Sequence, residues 1–190
     1  MTSRPRRKPC RGYPGSAPFS QYPFQFSLHL LHDNGDLDHF AYLHSDTSDP
    51  RTPLAEALVD RVGPSGTIIA YNTAFEKSVI SNLAKAIPSL TEDLGPLLKR
   101  FFDLLPIFRN YYIHPAFHGS SSIKNVLPVL VPGLSYSELD ISHGSSAQVA
   151  WAELTGTDDE AKRSELTAAL LAYCELDTLA MVRIYQALQK

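Results

Sequence analysis

The sequence predicts an α/β domain in which a mixed β-sheet is covered by helices. An alternating apolar pattern typical of a half-buried strand begins at Phe24, and a tight-turn signal and a second strand follow it. Residues 67–71 form a short, β-branched and almost wholly apolar run, which is typical of a strand buried on both faces. Most of the second half carries apolar residues at helical spacing. Strand ends are the natural place for a site in this architecture.

Length and composition restrict the class of protein. A chain of 190 residues with 44% apolar and 19% charged residues is typical of one globular domain with a substantial core. A net charge of −3 gives no global attraction for nucleic acid, so such a substrate would need a local basic patch or metal ions. The two cysteines, Cys10 and Cys174, form no metal-binding or secreted framework, and no apolar run of about 18 residues occurs. We therefore expect a cytoplasmic protein without a membrane partner.

The chain divides into an arm and a domain. Residues 1–23 are rich in arginine and proline and predict a flexible basic arm, which is either a solvated tail or a phosphate contact. Residues 24–190 predict one domain. It starts with a strand from Phe24, a turn at 33–36 with the hairpin signal Asn34-Gly35, and a strand from Leu37 to Leu43. A helix then ends at Gly63.

The second half is predicted to be mainly helical. A helix starts directly after the strand at 67–71 and stops before Pro88. Further helices are expected over residues 91–111, with an interruption at Pro106, and over 123–130, 147–154 and 158–189. A strand upstream of the hairpin would complete the sheet.

The final helix places an acid on its apolar stripe. The stripe follows steps of three and four residues and comprises Leu166, Leu170, Tyr173, Asp177, Met181, Ile184 and Leu188. A buried carboxylate is costly, so Asp177 is expected to meet a metal, a cation or hydrogen-bond donors. The Tyr173 hydroxyl can reach the same place from one turn earlier. Alternatively, Asp177 lies at the edge of the stripe and faces water.

A second candidate lies where the strand at 67–71 meets the next helix. Glu76 stands one turn into that helix, at a strand end where ligands commonly bind. The spacing Thr73-x-x-Glu76 is also that of a capping box, in which the glutamate returns to the backbone at the helix start. Both interpretations are compatible with the sequence.

Together these segments resemble two motifs of the DEDD exonucleases, a superfamily named for four metal-binding acids. The segment from Asn72 to Glu76 resembles the second motif, and Tyr173-x-x-x-Asp177 resembles the tyrosine variant of the third. Residues 101–105 and 122–127 resemble stretches between these motifs. The region from Phe24 to Leu188 is further similar to an uncharacterised bacterial domain-of-unknown-function family with an exonuclease-like core.

The resemblance implies a ribonuclease-H-like fold and metal-dependent 3′–5′ exonuclease chemistry on a DNA or RNA 3′ end. Glu76 and Asp177 would be metal ligands for Mg²⁺ or Mn²⁺, and Tyr173 would position the attacking water or receive its proton. Asn72, Phe75 and Lys124 would contact substrate. Carboxylates suit this chemistry because two divalent cations about 3.5–4 Å apart need hard oxygen ligands.

The chain departs from the family at the first motif. The expected Asp-x-Glu strand is absent, no acid precedes Asp33, and Glu76 replaces the usual aspartate. We therefore expect a sheet that lacks its first strand, weak metal binding and an impaired or inactive enzyme. Three explanations stay open: a displaced coding start or frameshift, a pseudo-nuclease, and completion by a partner chain or by another acid such as Asp103. The alternative function is a non-catalytic nucleic-acid- or protein-binding module with the same fold.

Histidine pairs give a weaker signal for zinc. His29 and His32 are expected on opposite faces of a strand, and His114 and His118 span Pro115 without a matching second pair. The sequence therefore favours surface or capping histidines.

Overall fold

The computed structural model describes residues 13, 22–137, 139–141 and 143–189. The predicted basic arm falls almost wholly outside these residues. The mixed α/β class is confirmed. In chain order the strands and helices are β1 (Gln25–Leu31), β2 (Leu37–Leu43), α1 (Arg51–Val62), β3 (Ile68–Ala70), α2 (Ala74–Ala86), α3 (Thr91–Leu97), β4 (Phe101–Asp103), α4 (Leu105–Asn110), α5 (Ile123–Leu130), α6 (Gly144–Leu154) and α7 (Glu160–Leu188).

The predicted hairpin is confirmed. Strands β1 and β2 pair antiparallel from Gln25 opposite Leu43 to Leu31 opposite Leu37. The turn is closed by the His32 N–H, which donates to the Asp36 carbonyl at 2.9 Å. Gly35 lies in this turn at φ +89°, a conformation that glycine adopts at little cost. The local turn signal therefore sets the register of the whole hairpin.

Strand β4 was not predicted, because residues 91–111 were expected to be helical. Phe101–Asp103 instead pairs in parallel with β3. The Ile68 N–H donates to the Arg100 carbonyl, and the Leu104 N–H donates to the Ala70 carbonyl, both at 2.9 Å. Three residues carry too little periodicity to reveal a strand, so a partner distant in sequence decides the conformation.

Among the described residues, the strands form two separate two-stranded sheets rather than one continuous mixed sheet. The expected central position of β3, buried on both faces, is also not seen there, because β3 pairs with β4 alone.

The two sheets nevertheless lie between the same helices. On one side, one apolar cluster joins hairpin residues to residues of β3, β4 and the helices α1, α2 and α3; its members include Phe26, Tyr42, Ile68, Phe101, Leu54, Ile80 and Leu94. On the other side, α7 packs on β1, β2 and β3. Both sheets therefore share one layer of the structure.

Helix α7 is continuous over 29 residues, within the range 158–189 that was predicted to be helical. The Asp159 carboxylate caps it by accepting from the N–H groups of Ala161 and Lys162. Leu166, Leu170 and Ile184 of the predicted stripe are buried. The middle of α7 thus lies against the sheets, close to the carboxyl end of β3. No described helix combines the length and apolar character needed to cross a membrane.

Candidate acidic site at the strand ends

The chain turns sharply where β3 ends and α2 begins. Asn72 has φ 69°, in the left-handed region that asparagine tolerates better than most residues. The turn is held by Asp103 at the end of β4. One carboxylate oxygen accepts from the backbone N–H groups of Asn72 (2.8 Å) and Leu105 (3.0 Å). The other accepts from the Thr73 N–H (2.9 Å) and the Thr73 hydroxyl (3.1 Å).

Asp103 is therefore a structural acid. Burial acts to raise the pKa of its carboxyl, but the hydrogen bonds from Asn72, Leu105 and Thr73 outweigh burial and lower the pKa overall. A carboxylate offers about four lone-pair positions, and four donors already use them. No lone pair is left with which Asp103 could complete a metal site.

The capping-box interpretation of Thr73-x-x-Glu76 is wrong. The Thr73 side chain makes no capping hydrogen bond to α2, and the Thr73 N–H donates to Asp103 rather than to Glu76. The Oε2 atom of Glu76 is buried and has no hydrogen-bond partner among the described residues. Burial raises the pKa of the Glu76 carboxyl, the Glu76 N–H opposes this shift, and the charges of Asp103 and Asp177 add to it. Glu76 thus has an unused carboxylate oxygen.

Asp177 finds the donors that its position on the stripe requires. The Tyr136 hydroxyl donates to its carboxylate at 2.7 Å, and the Tyr173 hydroxyl donates to it as well. Burial raises the pKa of Asp177 despite these hydrogen bonds and the nearby positive charge of Lys124. The alternative in which Asp177 faces water is wrong, and the predicted convergence of Tyr173 and Asp177 is confirmed.

Tyr136 is the site residue that the sequence did not reveal. It lies between α5 and α6 in a segment without helical or strand periodicity, and it is 6% exposed. Burial and the Asp177 charge raise the pKa values of the Tyr136 and Tyr173 phenols, so both stay protonated donors at neutral pH. Its ring lies 5.5 Å from the Lys124 ammonium. Only the tertiary structure brings Lys124, Tyr136 and Asp177 together.

The remaining predicted site residues lie at the outer edge. Asn72 is exposed, and Phe75 is 62% exposed although its spacing matched the apolar face of α2. A large exposed aromatic ring beside polar groups can stack on a ligand.

The chain matches the model of a protein family described as Domain of unknown function (DUF2779), over residues 7–122. It belongs to this family. No curated protein and no solved structure matches the chain.

The predicted similarity to a domain-of-unknown-function family is thus confirmed, whereas no comparison links the chain to the DEDD exonucleases. The DUF2779 match contains Asn72, Phe75, Glu76 and Asp103. It ends before Lys124 and the α7 residues.

The acids of this site share a region without converging on one point. Asp103 and Asp177 both act on the charge of Glu76, which places the three carboxyls within electrostatic range. They do not form a group of three with ligand atoms within 4.8 Å of one another among the described residues. The site therefore consists of the Glu76 and Asp177 carboxyls, whose pKa values are raised, together with Tyr136, Tyr173 and Lys124.

Proposed function

We propose that this DUF2779 chain is a DEDD-type, metal-dependent 3′–5′ exonuclease-like domain whose incomplete acidic site makes hydrolysis of a DNA or RNA 3′ end weak or absent. The observation that carries the proposal is the buried Oε2 atom of Glu76, which has no partner among the described residues. A buried carboxylate oxygen without a partner is costly unless a cation neutralises it. Asp177 supplies a second acid in the same region.

Glu76 and Asp177 fit a magnesium or manganese ion in donor type, because both offer hard oxygen atoms. A bound cation would stabilise the charge of the phosphoryl group under attack. Asp103 cannot add a third carboxylate, since its hydrogen bonds hold the turn. Mg²⁺ demands near-ideal octahedral geometry, so two carboxylates give weak binding.

Tyr173 and Tyr136 act as donors in this proposal. Their raised pKa values keep the phenols protonated. Protonated phenols can position Asp177 or a water molecule by donating a hydrogen bond, but they cannot readily take up a proton. Lys124 places positive charge beside Asp177 and can contact a phosphate. Phe75 and Asn72 form an exposed edge on which a terminal base can rest.

One edge of β1 and one edge of β3 pair with no other strand among the described residues, which supports the proposed ribonuclease-H-like sheet. In β1 the even-numbered residues pair with β2, since the Phe24 carbonyl accepts from the His44 N–H. The backbone groups of odd-numbered residues therefore point away from β2, and the Ser27 N–H meets the Cys174 thiol. In β3 the backbone groups of Ile69 point away from β4 by the same alternation. A strand carrying two acids between these edges would join the sheets and supply the missing ligands.

The test is degradation of a 3′-labelled single strand in the presence of Mn²⁺, combined with thermal unfolding with and without the ion. We expect Mn²⁺ to raise the melting temperature of this chain and not of the Glu76→Gln or Asp177→Asn variants. Glu165→Gln is the matched control, because Glu165 is an exposed acid on the same helix as Asp177. Degradation is expected to be slow and to disappear in both site variants. Equal stabilisation by Mn²⁺ in all four proteins would refute the site.

A non-catalytic binding module is the second candidate, and the exposure of Phe75 favours it. Under this alternative the chain retains a labelled strand without shortening it, and Phe75→Ala weakens retention. Base–aromatic stacking is worth about 1–3 kcal/mol, so the expected loss is roughly fivefold or more. Retention unaffected by Phe75→Ala would exclude this edge as the binding surface.

A further inference from the structure

A second cluster of potential ligands lies between the hairpin and α7. His29 of β1 and His39 of β2 stand directly opposite each other in the hairpin register. They form a pair without mutual backbone hydrogen bonds, the arrangement that brings cross-strand side chains closest. Their rings stack with centroids 4.5 Å apart and an interplanar angle of 24°. Glu175 of α7 approaches this pair, with its Oε1 atom 3.9 Å from the Nδ1 atom of His39.

A hydroxyl group lies within hydrogen-bond distance of one nitrogen of each ring. The Nδ1 atom of His29 lies 2.7 Å from the Thr178 hydroxyl, and the Nε2 atom of His39 lies 2.9 Å from the Ser27 hydroxyl. The two hydroxyls are 2.8 Å apart, and Thr178 donates to the Glu175 carbonyl at 3.1 Å.

One set of directions satisfies every group in this network. His39 donates to Ser27, Ser27 and His29 donate to Thr178, and Thr178 donates onward to the carbonyl. Each ring then donates from the nitrogen that faces a hydroxyl.

The network leaves one nitrogen of each ring available. With Nδ1 of His29 and Nε2 of His39 acting as donors, the lone pairs lie on Nε2 of His29 and Nδ1 of His39. Metal-bound histidines are commonly oriented in this way, by a hydrogen bond from the nitrogen that does not face the ion. Ser27 and Thr178 therefore support the rings as outer groups of a metal site would.

We propose that His29, His39 and Glu175 bind a zinc ion that links the hairpin to α7. One ligand atom from each of the three residues lies within 4.8 Å of the others. Two imidazoles and one carboxylate form a ligand set that zinc accepts, with a water completing the tetrahedron. Zinc–nitrogen distances of about 2.0–2.1 Å place tetrahedral ligands roughly 3.3 Å apart, so the side chains close by small rotations. His39 and Glu175 are exposed and free to make this adjustment.

Arg183 lies near His29, and its guanidinium donates to the Gln186 side chain at 2.9 Å.

This site is separate from the acidic site in ligand type and in position. Glu175 and Asp177 belong to the same turn of α7, yet Asp177 is held by Tyr136 whereas Glu175 approaches His39. Imidazoles select zinc over magnesium, so the two sites would take different ions. The zinc proposal does not depend on the exonuclease proposal.

Calorimetric titration of the full chain with Zn²⁺ tests the inference, in a Cys10→Ser background that removes the thiol of the arm. We expect one ion per chain, and affinity at least about tenfold weaker in His39→Gln and in Glu175→Gln. His32→Gln is the matched control, because His32 is a second exposed hairpin histidine and pairs with Asp38 outside the cluster. It should bind zinc as the parent does.

A second measurement guards against loss of fold in the variants. Zinc should raise the melting temperature of the parent and of His32→Gln but not of His39→Gln, while circular dichroism of the three ion-free proteins should coincide. Co²⁺ bound in place of zinc should show no thiolate charge-transfer band, since no cysteine is among the ligands. Zinc affinity equal in His39→Gln and the parent, or no zinc binding by the parent, would overturn the proposal.

Discussion

Replacement of Asp103 by alanine should destabilise the chain more than replacement of an exposed acid by alanine. The change removes the acceptor of four hydrogen bonds and leaves the N–H groups of Asn72, Thr73 and Leu105 without their partner. Loss of a helix cap costs about 1 kcal/mol, and hydrogen bonds to a charged group contribute about 1.5–3 kcal/mol each when buried. Because Asp103 is partly exposed and water can replace part of this loss, we expect about 2–3 kcal/mol in total.

The assay is urea unfolding followed by circular dichroism, with Asp158→Ala as control for an exposed aspartate. A loss of 2–3 kcal/mol corresponds to a fall of roughly 4–12 °C in melting temperature for a chain of this size. Asp103→Asn should cost nearly as much, since an amide offers one acceptor oxygen instead of two.

The stability lost in Asp103→Ala should depend on pH, in a direction set by the pKa shift of Asp103. Because the folded-state pKa of Asp103 is lowered, its stabilising effect is present above the unfolded pKa of about 3.9 and is lost as pH falls through the folded pKa. The difference between parent and Asp103→Ala should therefore be full at pH 7 and shrink in strong acid. An equal stability of Asp103→Ala and Asp158→Ala at pH 7 would refute the role of Asp103 in holding the turn.

Two substitutions in the site and one chemical modification of α7 give further tests. Glu76→Gln should stabilise the ion-free chain by on the order of 1 kcal/mol at pH 7, because it removes a buried charge. This gain in stability should vanish below the unfolded pKa of about 4.3, and urea unfolding at pH 7 and pH 3.5 measures it. Tyr136→Phe should cost about 1.5–3 kcal/mol at pH 7 because Asp177 loses a donor, whereas Tyr111→Phe, at an 83% exposed position, should cost nothing measurable in the same unfolding assay. Burial raises the pKa of the Cys174 thiol to about 12, so iodoacetamide should alkylate it far more slowly in the folded chain than in urea, and equal rates would contradict its burial.

The hairpin shows how a tertiary neighbour can be deduced from local sequence. The turn at 33–36 fixes which residues of β1 and β2 face each other, so His29 opposite His39 follows from the turn alone. His29 and His32, three residues apart in sequence, were the hairpin pair considered as zinc ligands, so the cross-strand pair of His29 and His39 was missed. Its ligand from α7, Glu175, has no such local signal.

Elements whose pattern repeats over many residues could be predicted from the amino-acid sequence. Alternation and the turn signal predicted β1 and β2, helical spacing predicted α7, and a carboxylate on an apolar stripe favoured donors or a cation beside Asp177. These features follow from the period of side chains along one element and from the cost of burying charge.

Tertiary structure alone decided the features that depend on partners far apart in the chain. Strand β4 exists because three residues meet β3, Asp103 accepts from the Thr73 N–H across 30 residues, and Tyr136 reaches Asp177 across 41 residues. Such contacts do not produce a periodic pattern in the sequence, because each involves a single side chain or a few backbone groups. Their partners come close only when the chain folds. Glu76 makes no capping hydrogen bond for the same reason, because the Thr73 N–H that a capping box would offer to Glu76 donates to Asp103 instead.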